Sequence, residues 1–180
     1  MVNNLFASYM KLVRHISIIA FYLTRVMAAG YILTALYIIL CVLFQPSTLQ
    51  HLPGNRFAIC YPFTSEHFLL GAEYTVGYIT EMILVIFLYG AFFALLSNVF
   101  QSFRPQKIFT MRGIRHLRFF YLINLFLFPL VFLILGIYSI EDYPYVAMIT
   151  AHCIMGIFAL FLAAIFEQGL NLQNDQDLII

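Results

Sequence analysis

QSFRPQKIFTMRGIRHLR, residues 101–118, is the one long polar interruption in the second half of an otherwise apolar chain. It carries Arg104, Lys107, Arg112, Arg115 and Arg118, with His116 among them and no acidic residue, so five of the nine Lys and Arg residues fall in this single stretch. Basic residues beside membrane spans are retained on the cytoplasmic side. The stretch therefore sets the orientation of everything around it.

Outward from it the composition is that of a chain dissolved in lipid. Apolar residues make up 63% and charged residues 9%, against about 25% charged in a soluble domain, and the mean hydropathy is +0.94. No water-exposed surface can be built from this composition. At roughly 20 apolar residues per crossing, 180 residues allow about four crossings and leave no separate soluble domain. The expected fold class is all-α: one integral membrane bundle over residues 1–180, with four transmembrane helices and both termini cytoplasmic. The expected spans are 26–44, 78–100, 119–140 and 146–166. Residues 45–67 form an outer loop, 101–118 the cytoplasmic basic loop and 167–180 a cytoplasmic tail.

The flanks agree with that orientation. Lys11, Arg14, Ile18, Tyr22 and Arg25 recur at spacings of three and four, one face of a helix. Either an interfacial helix leads into the first span, or one long helix starts near Phe6; no Gly or Pro intervenes before Gly30. With loop and termini inside, Arg56 is the single basic residue outside and eight of nine are cytoplasmic. The outer loop holds Pro46, Pro53, Gly54 and Pro62, all turn formers, together with Phe57, Tyr61 and Phe63. Its aromatic content predicts a packed cap over the outer mouth. The second span extends from about Leu69, which puts Glu73, Gly77 and Glu81 on one helical face at i, i+4 and i+8. Thr110 is the expected N-cap of the third helix, and Pro129 predicts a mild kink that neighbouring helices tolerate. Glu141 to Tyr145 make a short acidic and aromatic outer turn. The segment after Arg14 is too long, and lacks the small-residue cleavage site, for a cleavable signal peptide.

Few residues within the spans carry chemistry. Glu81 and His152 both lie in the outer part of their spans, and buried ionisable groups in a bilayer pair or mark a functional path. A Glu81–His152 pair is one expectation. The other is that Glu81 reaches the headgroups while His152 bonds a neighbouring carbonyl. A haem bundle needs two facing axial ligands, and only His152 is securely within a span. A quinone-linked thiol oxidoreductase needs outer cysteine pairs, but Cys41, Cys60 and Cys153 form no CxxC and no metal-like cluster. No catalytic, cofactor or metal site is expected. Gly90/Ala94 and Ala159/Ala163 are small-xxx-small pairs, suited to packing within the bundle or, alternatively, to homo-oligomer formation. The basic loop has three possible uses: orientation with anionic-lipid contact, docking of a cytoplasmic protein, and direct nucleic-acid binding, which a short loop tied to the bilayer at both ends disfavours.

The run FFALLSNVFQSFRPQKIFTMRGIRHLRFFYLI resembles the centre of a bacterial four-span family catalogued as domain of unknown function twenty-nine seventy-five. In that family a span ends in a loop with a Phe-Thr step, here Phe109-Thr110, and a Leu-Arg pair opens the next span, here Leu117-Arg118. The end FEQGLNLQNDQDLII is similar to the family's terminal pattern, matching at Gly169, Leu172, Asp175, Asp177, Leu178 and Ile180, with Ile179 in place of a Thr. The specific likeness covers about residues 95–118 and 166–180. It implies a bacterial inner-membrane protein without an established activity. Because members are often encoded beside small helix-turn-helix regulators, it also implies a cytoplasmic DNA-binding partner. The implied contact surface is Arg104, Lys107, Arg112, Arg115 and Arg118 together with Asp175 and Asp177 of the acidic tail. The expected function is then a non-enzymatic interaction or regulatory protein. A small transport-related or immunity-type protein using the outer loop and Glu81/His152 is the competing class. Loop and tail are expected to meet electrostatically.

Overall fold

A computed structural model describes residues 2–105, 107–139 and 143–177, without the side chains of residues 2–7 and Asp177. The expected Glu141-Asp142 turn and the last three residues of the terminal pattern lie outside the described residues. Three quarters of the chain is helical. Four helical runs among the described residues are long and apolar enough to cross a membrane: Ser8–Phe44, Val76–Gln101, Met111–Tyr138 and Tyr145–Gln176.

Helix α1 is a single helix over Val2–Phe44. No Pro falls within it and Gly30 is accommodated in the helix, so the basic face at Lys11, Arg14 and Arg25 belongs to the same rod as the apolar run up to Phe44. At 1.5 Å per residue it is about 65 Å long, roughly twice a hydrocarbon core. Gln45, with a left-handed φ of 44°, and Pro46 end it. Along its C-terminal half Leu33, Leu36, Leu40 and Leu43 are exposed, which is consistent with a lipid environment.

The cap departs from an all-α chain. Strands β1 (Leu49–Leu52), β2 (Arg56–Cys60) and β3 (His67–Gly71) form an antiparallel sheet in the order β1-β2-β3. Gly54 and Asn55 supply left-handed φ values of 76° and 60° in the first turn, a conformation that Gly and Asn tolerate. One face of the sheet packs Leu49, Phe57 and Ile59 against Ile38 and Cys41 of α1 and Ile79 of the next helix. The Tyr37 hydroxyl pins the sheet to α1 by donating to the Cys60 carbonyl at 2.7 Å. Cys41, Cys60 and Cys153 are all free thiols.

Helix α2 (Val76–Gln101) starts later than the sequence suggests, with Thr75 as N-cap accepting the Tyr78 N–H. Residues from Leu69 are taken by β3 and its exit, so Glu73 precedes the helix and shares no helical face with Glu81. Pairing with β2 overrides the apolar continuity that reads as helix. Helix α3 (Met111–Leu122) is capped by Thr110, whose side chain accepts the Gly113 N–H at 3.1 Å. It passes into a π-helical turn, Ile123–Leu127, and then into α4, Phe128–Tyr138. The wide turn has a cause: Pro129 lacks an N–H and its ring would press on the carbonyl four residues back, and a π turn opens that space. Helix α5 runs over Tyr145–Asp177, so most of the expected tail continues the last helix.

Helix α1 packs mainly on α2, and α5 on α3 and α4. Gly90 lets α1 approach closely, since a Cβ there would lie 3.0 Å from Ile32 and 3.4 Å from its backbone nitrogen. Ala159 and Ala163 are buried against Ile114, Leu117 and Phe120 of α3. These small residues serve contacts within the bundle. A second core layer joins Leu88 of α2, Phe128 and Phe132 of α4, and Tyr145 of α5.

Candidate functional site

The basic stretch folds into a cavity of about 410 Å³ at the end of the bundle opposite the sheet, bounded by α1, the end of α2, the connecting loop and the start of α3. Its polar lining comprises Gln101, Ser102, Arg104, Thr110, Arg112 and His116. Asn98 on the last turns of α2 organises this end. Its carbonyl accepts from His116 Nδ1 at 3.0 Å and from the Ser102 hydroxyl at 3.1 Å, and its Oδ1 accepts from Arg25 Nη2 at 3.0 Å. One residue thus ties α1, α2 and α3 together. The Arg104 guanidinium lies 4.6 Å above the Phe21 ring and 5.6 Å above Tyr22, and Arg25 stands 5.5 Å from Phe21. Aromatic faces attract cations, so α1 holds Arg104 at the cavity wall.

The remaining expected residues divide. Lys107, Arg112, Arg115 and Arg118 are exposed. Arg118 Nη2 donates to both carboxylate oxygens of Glu167 at 2.9 Å. Loop and tail therefore do meet, but through Glu167. Asp175 is exposed near the end of α5, and no ion pair among the described residues involves it. The Asp177 side chain lies outside the described residues. Arg118 and Glu167 are each half exposed, at 51% and 53%, and solvent-exposed pairs contribute under about 1 kcal/mol. Arg118→Ala is accordingly expected to lower the unfolding free energy in detergent by less than that amount. A larger loss would mean that the side-chain stem, and not the ion pair, holds α3 to α5.

The two polar groups expected to pair engage separate partners. Ser139 Oγ donates to Glu81 Oε1 at 2.7 Å, and the Tyr145 hydroxyl donates to the same oxygen. His152 lies seven residues beyond Tyr145 on α5, about 10 Å further along the bundle. It meets Asn124 of the π turn: Asn124 Nδ2 donates to the Phe120 carbonyl at 2.8 Å, which turns Oδ1 toward His152 Nδ1 at 2.7 Å. With Oδ1 an acceptor, Nδ1 carries the proton. The imidazole stacks on Phe128 at 4.4 Å and meets Phe92 edge-on at 5.2 Å. Asn124 is fully buried and His152 is 5% exposed. The sequence assigned no bonding role to Asn98, Asn124 or Ser139, and read Tyr145 only as part of an aromatic turn. Asn124 had a usable signal as an amide well inside an apolar span, where an unsatisfied polar group is costly.

Further cavities line the cap half. One of about 740 Å³ lies among Tyr37, Cys41, Thr48, Phe63 and their neighbours, and one of about 330 Å³ lies beside Glu81. Among the described residues no group of three His, Cys, Asp or Glu could hold a metal ion. No protein-family model, curated protein or solved structure matches the chain.

Proposed function

We propose that this chain is a multi-pass protein of the bacterial cytoplasmic membrane, with both termini and the basic loop in the cytoplasm. It acts as a membrane-embedded interaction or regulatory protein. The observation that carries the reading is the gathering of positive charge at one end of the bundle. Arg25 and Arg104 both lie against the Phe21 ring there, Arg112, Arg115 and Arg118 follow on α3, and Arg56 stands apart in the cap sheet. Asymmetry of this kind marks the cytoplasmic side. The exposed side chains of Lys107 and Arg115 form the docking face. The resemblance to the four-span family supplies the partner, a small helix-turn-helix regulator that binds DNA while the membrane protein does not. The transport or immunity reading has less support, because Glu81 bonds Ser139 and Tyr145 while His152 bonds Asn124, about 10 Å further along the bundle.

The test is co-purification of a co-expressed helix-turn-helix regulator with the full chain from solubilised membranes. Lys107→Glu with Arg115→Glu is expected to lower recovery at least tenfold, while Arg56→Glu in the cap leaves it unchanged. Equal recovery with all three proteins, or recovery with none, removes the docking face.

A further inference from the structure

We infer that the cavity between α1, the end of α2 and the start of α3 is a binding site for the phosphate group of an anionic phospholipid. Two guanidinium groups, Arg104 and Arg112, line one space of about 410 Å³ beside the imidazole of His116, and no carboxylate is among its lining residues that the structure describes. Like charges brought together without a counter-charge call for an anion, and guanidinium forks match phosphate oxygens in geometry. The site is built on both sides. Arg104 is held against Phe21 and Tyr22. His116 donates its Nδ1 proton to the Asn98 carbonyl at 3.0 Å, which fixes the imidazole ring as a wall of the cavity. The Ser102 hydroxyl, 4% exposed as a residue, closes the floor at 3.4 Å from the same imidazole.

The position selects a lipid over a soluble phosphate compound. The cavity lies where the apolar run of α2 ends at Gln101 and that of α3 begins at Met111, and it is flanked by the apolar side chains of Ile18 and Pro105. A headgroup seated there keeps its acyl chains against the exposed apolar surface of α1. Basic pockets between transmembrane helices near the membrane surface are suited to such headgroups. The inference rests on the membrane reading above but not on the regulator: lipid retention is measured on the purified protein without any partner.

The test is native mass spectrometry of the delipidated full-length protein, titrated separately with phosphatidylglycerol, phosphatidylcholine and inorganic phosphate. One tightly held phosphatidylglycerol is expected, with phosphatidylcholine retained at least tenfold more weakly. Arg104→Gln with Arg112→Gln should weaken phosphatidylglycerol retention about 30-fold, on the scale of two arginines at an anionic surface. Arg112→Gln alone, at an exposed side chain whose loss leaves the fold intact, should weaken it about fivefold. Arg115→Gln, outside the cavity, should change it less than twofold. If the cavity variants retain the lipid as the parent does, or if Arg115→Gln weakens it as much as Arg112→Gln, the site is overturned. Inorganic phosphate displacing the lipid at equal concentration would overturn the lipid assignment in favour of a soluble phosphate ligand.

Discussion

Asn124→Ala is expected to destabilise the protein by about 2 kcal/mol, although it removes only a short side chain. The reason is what it leaves behind. His152 Nδ1–H loses its acceptor in a site walled by Phe92, Phe128 and Phe132, and an orphaned buried donor costs about 1–3 kcal/mol. His152→Phe, which keeps a ring among those rings, should cost a similar amount by stranding Asn124 Oδ1. The double replacement Asn124→Ala with His152→Phe removes both polar partners together. It should be less destabilising than the sum of the single changes by about 1 kcal/mol or more, toward the upper end of polar couplings measured between membrane helices. Denaturation in mixed micelles followed by tyrosine fluorescence suits a chain with twelve Tyr and no Trp. Strict additivity would mean that the Asn124–His152 bond is not made.

Gly71→Ala should open the cap. A Cβ at position 71 would fall 1.9–2.6 Å from three atoms of the Phe57 ring, and Phe57 is fully buried between sheet and helices. A close-packed core offers the ring nowhere to move, and overpacking of this kind costs about 1–3 kcal/mol. The loss concentrates in the sheet, so local opening and not global unfolding reports it. Cys60 on β2 and Cys41 beneath the sheet are 0% and 1% exposed, which makes their thiols built-in probes. Their maleimide labelling should accelerate by a factor of about 5–150, while Cys153 on α5 labels at its original rate. Unchanged labelling of Cys41 and Cys60 would show that the sheet relaxes around the added methyl group.

How far the residues alone could lead is clearest from Thr110, Pro129 and Leu69. Thr110 is legible as a cap because capping is local: the hydroxyl and the N–H three residues on belong to one turn. Pro129 announces a disturbance for the same reason, but whether it becomes a kink or a π turn depends on what packs nearby. Here Gly156 of α5 takes Leu125 of the wide turn at close range, where a Cβ would lie 2.6 Å from Cγ. Leu69 misleads, since an apolar run reads alike as helix or strand until its pairing is known, and β2 decides it. At the candidate site the basic residues were visible, whereas Asn98 was not. Its role comes from bonds to Arg25 and His116, 73 and 18 residues away.

Composition and charge by themselves determined that four helices are apolar enough to cross a membrane and the end of the bundle at which positive charge collects. These follow from free energies of transfer that add residue by residue along the chain. Only the tertiary structure decided which polar groups meet. It separated Glu81 from His152, brought Arg118 to Glu167 and enclosed Arg104, Arg112 and His116 around one cavity. A hydrogen bond or an ion pair depends on distances of about 3 Å between side chains far apart in sequence, and helix packing alone sets those distances.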